Sequence, residues 1–213
     1  MKVGYMRDFL AKIVQRSMWS PGRVLFRFFL HFEVQGNPKG LPDSFLIVAN
    51  HGSWLDPFFI GGALPPKYLP FFFATWHKYY KNPFLFPFVF LMGCFPVKKG
   101  EGLANTLQYP LHILENGGRV VIFPEGKRHH LGRPRKGRRG AAWLALRTKT
   151  HILPVYITGN VGLTIWRFLG RSQHIKVRIG EKFSLPSFDL SDDIASLNTA
   201  SEVILSKLGE VRG

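Results

Sequence analysis

Short apolar runs alternate with amphipathic stretches along most of the chain. Continuously apolar or alternating runs predict strands at residues 45–49, 68–74, 95–97, 120–123, 151–157 and 175–179. Helical spacing of apolar residues predicts helices at residues 57–64, 103–115, 141–149 and 190–208. Strands that are apolar on both faces and alternate with helices are typical of an α/β fold, with a largely parallel or mixed sheet flanked by helices.

The N-terminal part of the chain follows a different pattern. Apolar side chains recur at helical spacing over residues 5–18, with basic residues between them, and residues 24–32 form a second, Phe-rich piece. A Ser-Pro-Gly sequence at residues 20–22 predicts a break between two amphipathic helices. These helices either pack on the core or form a hairpin on a membrane surface. The predicted organisation is a membrane-interface helical segment at 1–35 and one α/β domain at 36–213.

Charge and composition indicate an anionic partner. The 213 residues carry 29 Lys and Arg against 13 Asp and Glu, a net charge of +16, which attracts nucleic acid, anionic membranes or phosphorylated small molecules. Nucleic-acid platforms interleave aromatic and basic residues, whereas the phenylalanines here cluster, as at 71–73 and 84–90. We therefore expect an anionic membrane surface as partner and no nucleic acid. No apolar run reaches the roughly 18 to 20 residues of a spanning helix, so contact in the plane of the interface is expected.

Cysteine content and the first residues of the chain give no indication of a disulfide-bonded, metal-binding or secreted protein. Cys94 is the single cysteine, so no internal disulfide can form, and no Cys/His cluster has the spacing of a metal site. Residues 1–17 lack the apolar core and the cleavage site of a signal peptide. Neither a metal ion nor a cofactor is expected.

A histidine and an aspartate follow the predicted strand at residues 45–49. In the sequence NHGSWLDP, residues 50–57, His51 and Asp56 are five positions apart. On a continuous helix they would point about 140° apart, but a turn between strand and helix can bring them together. Asp56 then accepts a hydrogen bond from one imidazole nitrogen and leaves the other nitrogen as a general base. The structural alternative is that Asp56 only caps a helix that begins at Pro57.

A second candidate stretch is VVIFPEGKR, residues 120–128. It runs from a buried strand into Glu125 and Gly126, and glycine permits the close approach of a ligand. Arg128 can bind a phosphate through its guanidinium group. An ordinary turn with solvated charges has the same composition, so this stretch alone does not establish a site.

Two weaker candidates follow other predicted strands. In GCFPVKKG, residues 93–100, Lys98 or Lys99 can face an anion, although an isolated basic pair is usually only solvated. In HILPVY, residues 151–156, Pro154 interrupts an apolar run, and its simplest interpretation is a proline in an edge strand. Neither stretch indicates a function without the others.

The four stretches together resemble the motifs of the glycerolipid acyltransferase family, nearest to its 1-acyl-sn-glycerol-3-phosphate acyltransferase branch. Residues 50–56 match the first motif, His-x4-Asp, and residues 93–100 resemble the second. Residues 123–128 resemble the third motif, Phe-Pro-Glu-Gly-Thr-Arg, with Lys127 in place of threonine. The fourth motif, an apolar strand with proline, is similar to residues 152–155. In the second motif, lysine replaces the usual arginine and loses its planar fork.

This resemblance implies a membrane-associated O-acyltransferase. It would transfer a fatty acyl group from acyl-CoA or acyl-carrier protein to the hydroxyl of lysophosphatidic acid, giving phosphatidic acid. His51 and Asp56 would be the catalytic pair. The implied substrate-binding residues are Lys99, Glu125, Gly126, Arg128, Arg139 and Pro154. The acyl donor is a substrate, no cofactor is implied, and the expected location is the cytoplasmic face of the inner or plasma membrane.

Other functions stay open at this point. The acceptor could be another lysophospholipid or lipid, because two motif positions depart from the family pattern. A non-catalytic basic module that binds membrane or nucleic acid explains the charge and the Phe clusters, but not the co-occurrence of His51, Asp56 and Glu125. An esterase could use the same His–Asp pair on water, but the chain lacks the G-x-S-x-G nucleophile elbow.

Overall fold

A computed structural model describes residues 2–38, 40–97, 102–126, 137–163, 165–170, 172–186 and 194–213. Its strands are β1 (Glu33–Gln35), β2 (Phe45–Ala49), β3 (Phe71–Trp76), β4 (Cys94–Val97), β5 (Arg119–Ile122), β6 (His151–Thr158) and β7 (Lys176–Ile179). Its helices are α1 (Lys2–Phe29), α2 (Asp56–Ala63), α3 (His77–Lys81), α4 (Phe86–Leu91), α5 (Leu103–Glu115), α6 (Gly140–Thr148), α7 (Ile165–Leu169) and α8 (Ile194–Arg212).

Within these residues, one sheet contains the strands in the order β1-β7-β6-β2-β5-β3-β4. Neighbouring strands run parallel except β6 and β7, which are antiparallel. The predicted α/β fold with a largely parallel or mixed sheet is therefore confirmed. The strands β2, β5 and β6 lie in the interior of the sheet, and their residues are almost entirely buried because helices cover both faces.

Alternate residues of the buried strands enter two separate cores. On one face, Phe45 and Ile47 of β2 pack with α1 and α2. On the other face, Leu46 and Val48 pack with α5, α6 and α8. The molecule is thus a three-layer α/β structure, and β2 at its centre is fixed on both sides.

Helix α1 differs from the predicted pair of helices. It is continuous from Lys2 to Phe29 with Pro21 inside it. A proline removes one helical hydrogen bond and usually kinks or ends a helix. Here Trp19 and Phe26, on either side of the proline, are both buried in the core and hold the two halves of the helix on the sheet. Tertiary packing therefore overrides the local break signal.

A buried polar contact attaches α1 to the α/β domain. The side chain of Gln15 is fully buried, donates to the carbonyls of Phe71 and Met92 at 2.7 and 3.0 Å, and accepts the N–H of Phe71 at 2.8 Å. Arg23 donates to the carbonyls of Gly62 and Leu64 at the end of α2, both at 2.6 Å. The side of α1 that faces the domain therefore packs on the core, as one of the two sequence alternatives proposed.

The interpretation of Pro154 as an edge-strand residue is wrong. Its strand, β6, lies between β2 and β7, and Pro154 is in register with Val48. The carbonyl of Pro154 accepts the N–H of Gly180, one residue beyond the end of β7. In a strand the N–H and C=O of one residue point to the same side. Pro154 has no N–H to donate, and the position where that N–H would point is the end of the β6–β7 ladder. An interior strand therefore tolerates this proline.

Candidate active site

The candidate chemistry lies at one edge of the sheet. The loop at 50–55 follows β2, residues 123–126 follow β5, and residues 159–160 follow β6. These strands are parallel neighbours, so their carboxyl ends meet at the same edge. This is the edge at which open α/β sheets generally bind their ligands.

His51 and Asp56 are in direct contact at this edge. Their atoms Nδ1 and Oδ2 are 2.8 Å apart. The carboxylate is fully buried, whereas the imidazole is 20% exposed. Since Nδ1 is the ring nitrogen engaged by Asp56, Nε2 is the nitrogen left to exchange a proton with a ligand.

A tight turn, and not a helix cap, brings these two side chains together. Helix α2 begins at Asp56 itself, with Leu55 as its N-cap, so the predicted N-cap role of Asp56 is incorrect. Its Oδ2 accepts the backbone N–H groups of Gly52 and Ser53 at 2.7 and 2.8 Å, in addition to the contact with His51. The loop thus folds over the carboxylate and places His51 beside it.

Asn160 completes the shell of donors around Asp56. Its Nδ2 donates to Asp56 Oδ1 at 2.8 Å, and the residue is only 2% exposed. Asn160 is 104 positions from Asp56 and was not among the predicted site residues. Asn160 could have been found from the sequence, because it is a polar residue just after a predicted interior strand, at the sheet edge that also carries His51. Four donors therefore compensate a carboxylate that has lost its contact with water.

The loop after β5 contacts His51 from another side. The ring of Phe123 stacks on the imidazole, with centroids 4.2 Å apart and planes inclined by 18°. The carboxylate of Glu125 accepts the backbone N–H of His51. Burial raises the pKa of Glu125 from 4.5 to about 7, the N–H of His51 opposes that shift, and the charge of Asp56 adds to it. The predicted residues Glu125 and Gly126 therefore lie beside the His–Asp pair.

Gly126 has a positive φ of 66° and closes the turn through its N–H to the carbonyl of Phe123 at 3.0 Å. A Cβ at this position would lie 2.3 Å from Nε of Arg138, so the Arg138 side chain packs directly over the glycine. Arg139 has a different partner, because its Nε donates to Oδ1 of Asn198 on α8 at 2.7 Å. Among the described residues, Arg138 therefore packs on the Glu125 loop, and it was not one of the predicted site residues.

Of the remaining predicted binding residues, the structure places only Pro154. Lys99 and Arg128 lie outside the described residues, as do Lys98 and Lys127. Pro154 is part of the wall of a cavity of about 470 Å³ between β7 and α8. That cavity lies toward the amino end of β6, away from His51.

The fold and the site together define the class of protein. The chain is an α/β protein with a His–Asp pair, its carboxylate buried, at the carboxyl edge of a mostly parallel sheet. A family model described as "Acyltransferase" matches residues 31–158, which include all four motif stretches. The chain belongs to this acyltransferase family, and the resemblance predicted from the motifs is confirmed.

Relatives with assigned names agree with this membership. A Streptococcus pneumoniae protein named 1-acyl-sn-glycerol-3-phosphate acyltransferase is 31% identical over 122 residues, 57% of this chain and 44% of that protein. A Bacillus subtilis protein of the same name is 24% identical over 177 residues, 82% of this chain and 85% of that protein. The matched part thus spans less than half of the first relative and most of the second.

A solved structure shows the same fold. The crystal structure of the 1-acyl-sn-glycerophosphate (LPA) acyltransferase PlsC from Thermotoga maritima superposes with a TM-score of 0.66. The superposition covers 95% of this chain and 82% of that protein at 23% sequence identity. At this identity the likeness concerns the fold.

Proposed function

We propose that the protein is a membrane-associated O-acyltransferase that acylates the free hydroxyl of lysophosphatidic acid to give phosphatidic acid. The donor would be acyl-CoA or acyl-carrier protein. The observation that carries the proposal is the 2.8 Å contact between Nδ1 of His51 and the fully buried carboxylate of Asp56. Family membership and the names of the relatives support the reaction class.

In the proposed reaction, Nε2 of His51 takes the proton of the acceptor hydroxyl as its oxygen attacks the carbonyl carbon of the thioester. Asp56 orients the ring and stabilises the imidazolium that forms. The tetrahedral intermediate then expels the thiolate by breaking the C–S bond, and His51 returns the proton to sulfur. No protein nucleophile is needed, which agrees with the absence of a nucleophile elbow from the sequence.

The acceptor site would extend from His51 across the loop that follows β5. Glu125 and Gly126 lie at this position, and the family resemblance supports Arg128 and Lys99 as partners for the acceptor phosphate. Arg138, packed over Gly126, adds a cation to the same loop. We extend the acceptor role to Arg139 and the donor role to the strand of Pro154 on the resemblance alone.

Helix α1 supports membrane association of the segment 1–35. The face of α1 turned away from the core exposes Met6, Phe9, Ile13, Val24, Leu25 and Phe28. Basic residues Lys12, Arg16 and Arg27 are exposed on the same helix. An apolar stripe flanked by cations is typical of a helix that lies in the plane of an anionic bilayer. Because acyl donors are made in the cytosol, we place the protein on the cytoplasmic face of the inner or plasma membrane.

Among the described residues, no helix combines the length and the apolar character needed to cross a bilayer.

The test is the variant His51→Ala with a radiolabelled acyl-CoA donor and a panel of lysophospholipid acceptors, analysed by mass spectrometry. We expect loss of ester formation, with circular dichroism and liposome binding unchanged, because His51 is at the surface of the site. Lysophosphatidic acid should be the preferred acceptor of the wild type. Near wild-type turnover of His51→Ala would contradict the mechanism, and release of free fatty acid without ester formation would favour an esterase.

A further inference from the structure

The connection between β3 and β4 exposes a cluster of large apolar side chains. Residues 81–88 are all exposed, which is unusual for a stretch that contains three phenylalanines. Phe84 is 90% exposed, and Leu85, Phe86 and Phe88 are also open to solvent. We refer to Trp54, Trp76, Phe84, Phe86 and Phe88 together as the aromatic patch. None of its residues belongs to α1.

The aromatic patch lies at the same edge of the sheet as His51. The connection leaves the carboxyl end of β3, which is a parallel neighbour of β5, and Phe123 stacks on His51 just after β5. Trp54, three residues after His51, is 56% exposed and contacts Tyr79 of α3 with ring centroids 5.2 Å apart. The patch therefore borders the loop that holds the His–Asp pair.

The β3–β4 connection and the sequence on either side of it carry only basic charges. Residues 57–100 contain five lysines and no aspartate or glutamate. Nζ of Lys78 lies 4.9 Å from the ring centroid of Trp76 and 5.1 Å from that of Tyr79. Lys81, also exposed, precedes the run that contains Phe84. Phe84 is thus the most exposed member of the patch, and Lys78 lies against the rings of Trp76 and Tyr79.

This arrangement matches the layers of a membrane interface. Trp and Tyr rings favour the level of the lipid headgroups, lysines favour anionic headgroups, and an exposed phenylalanine such as Phe84 gains free energy by entering an apolar phase. Attraction of the lysines to an acidic protein would not account for the exposure of Phe84 and its apolar neighbours. The chemistry of the surface therefore favours a bilayer over a protein partner.

We propose that the aromatic patch docks on the surface of an anionic phospholipid bilayer, with Phe84 inserted below the headgroups and Lys78 at the level of the phosphates. This contact is additional to that of α1 and turns the His51 edge toward the bilayer. A lipid acceptor then reaches His51 without crossing water. The role in acceptor delivery rests on the proposed function, whereas the docking itself does not.

The test compares Phe84→Gln and Lys81→Gln with Ile194→Gln in the full chain. Ile194 begins α8, is exposed, and lies in the layer on the other face of the sheet, so it serves as the matched control. Binding is measured by cosedimentation with phosphatidylcholine vesicles, with and without phosphatidylglycerol. We expect Phe84→Gln to weaken binding about tenfold, because the variant loses the transfer of an exposed aromatic ring from water into an apolar phase. Lys81→Gln should weaken it only when phosphatidylglycerol is present.

Kinetics separate this proposal from the proposed function. Phe84→Gln should lower turnover of vesicle-embedded acceptor and leave turnover of a monomeric short-chain acceptor unchanged. If the wild type acylates neither acceptor, the reaction is wrong but the binding comparison still tests the docking.

Three kinds of result would overturn the docking proposal. One is wild-type vesicle binding by Phe84→Gln, or equal weakening by Ile194→Gln. Another is a change from dimer to monomer in Phe84→Gln without vesicles, which would assign the patch to a second copy of the chain. The third is a loss of turnover specific to acyl-carrier protein as donor, which would assign it to an acidic protein.

Discussion

Removal of the Asn160 amide tests whether the buried network around Asp56 sets the activity of His51. In Asn160→Ala, Oδ1 of Asp56 loses its 2.8 Å donor, while Oδ2 keeps its contacts with His51, Gly52 and Ser53. Because Asn160 is 2% exposed, bulk water cannot freely replace the lost amide. The variant therefore leaves a buried carboxylate partly unsatisfied, without removing any residue proposed to contact substrate.

The losses of stability and activity in Asn160→Ala can be estimated from this geometry. A hydrogen bond to a charged group contributes about 1.5 to 3 kcal/mol, and an unsatisfied buried acceptor costs a comparable amount. For a protein of this size, about 2 kcal/mol corresponds to a Tm lower by roughly 4 to 8 °C. If the Asp56 carboxylate shifts even slightly from His51, a loss of about 1.4 kcal/mol in transition-state stabilisation lowers kcat about tenfold. KM for either substrate should stay within about twofold, since Asn160 lies behind Asp56.

The assay is thermal unfolding together with steady-state turnover for the wild type, Asn160→Ala, Asn160→Ser and Asn116→Ala. Asn116 is the matched control because its Nδ2 donates to the carbonyl of His112 at the same distance, 2.8 Å, but at an exposed site. Asn160→Ser keeps a donor and should recover part of kcat. Unchanged kcat in Asn160→Ala, or a fall in kcat equal to that of Asn116→Ala, would refute the reasoning.

Two further predictions concern the packing of α1 and the titration of the site. Gly61→Ala should destabilise the fold by about 1 to 3 kcal/mol in urea unfolding, because its Cβ would lie 2.3 Å from the ring of Trp19. Gly62→Ala in the same helix meets Phe26 only at 3.5 Å and should be neutral or stabilising; equal effects would contradict this account. Since the pKa of Glu125 is raised from 4.5 to about 7, wild-type stability should fall relative to Glu125→Gln as pH rises through that window. If the difference in Tm between the wild type and Glu125→Gln stays constant from pH 4 to pH 8, the burial of Glu125 is contradicted. The expected change in the free energy of unfolding is about one kcal/mol per pH unit within the window.

The sequence predicted the interior of the fold better than its periphery. Strands β2 and β5 and helix α5 were found within one residue, because continuous apolar runs and helical leucine spacing reflect burial. Strand β1 was missed, since its three residues are all exposed and carry no apolar pattern. A break at residues 20–22 was predicted from local residues alone. Helix α1 is continuous instead, because Trp19 and Phe26 pack on distant strands.

For the site, the limit was distance along the chain. His51, Asp56, Glu125 and Gly126 were found because motif order identifies them, and the structure brings them together. Asn160 belongs to no recognised motif, and its contact with Asp56 exists only because β6 lies next to β2. A search for polar residues directly after each predicted interior strand would have included it.

The five-position separation of His51 and Asp56 has a physical reason in the turn between them. Two consecutive N–H groups, of Gly52 and Ser53, must point at the same carboxylate oxygen that also contacts His51. A Cβ on Gly52 would lie 2.8 Å from the amide of Asn160. A side chain at position 52 would therefore displace Asn160, which donates to Oδ1 of Asp56. A shorter connection leaves too few residues for the turn, and a helical one would point the two side chains apart. The spacing of the motif thus follows from the hydrogen-bond requirements of one buried carboxylate.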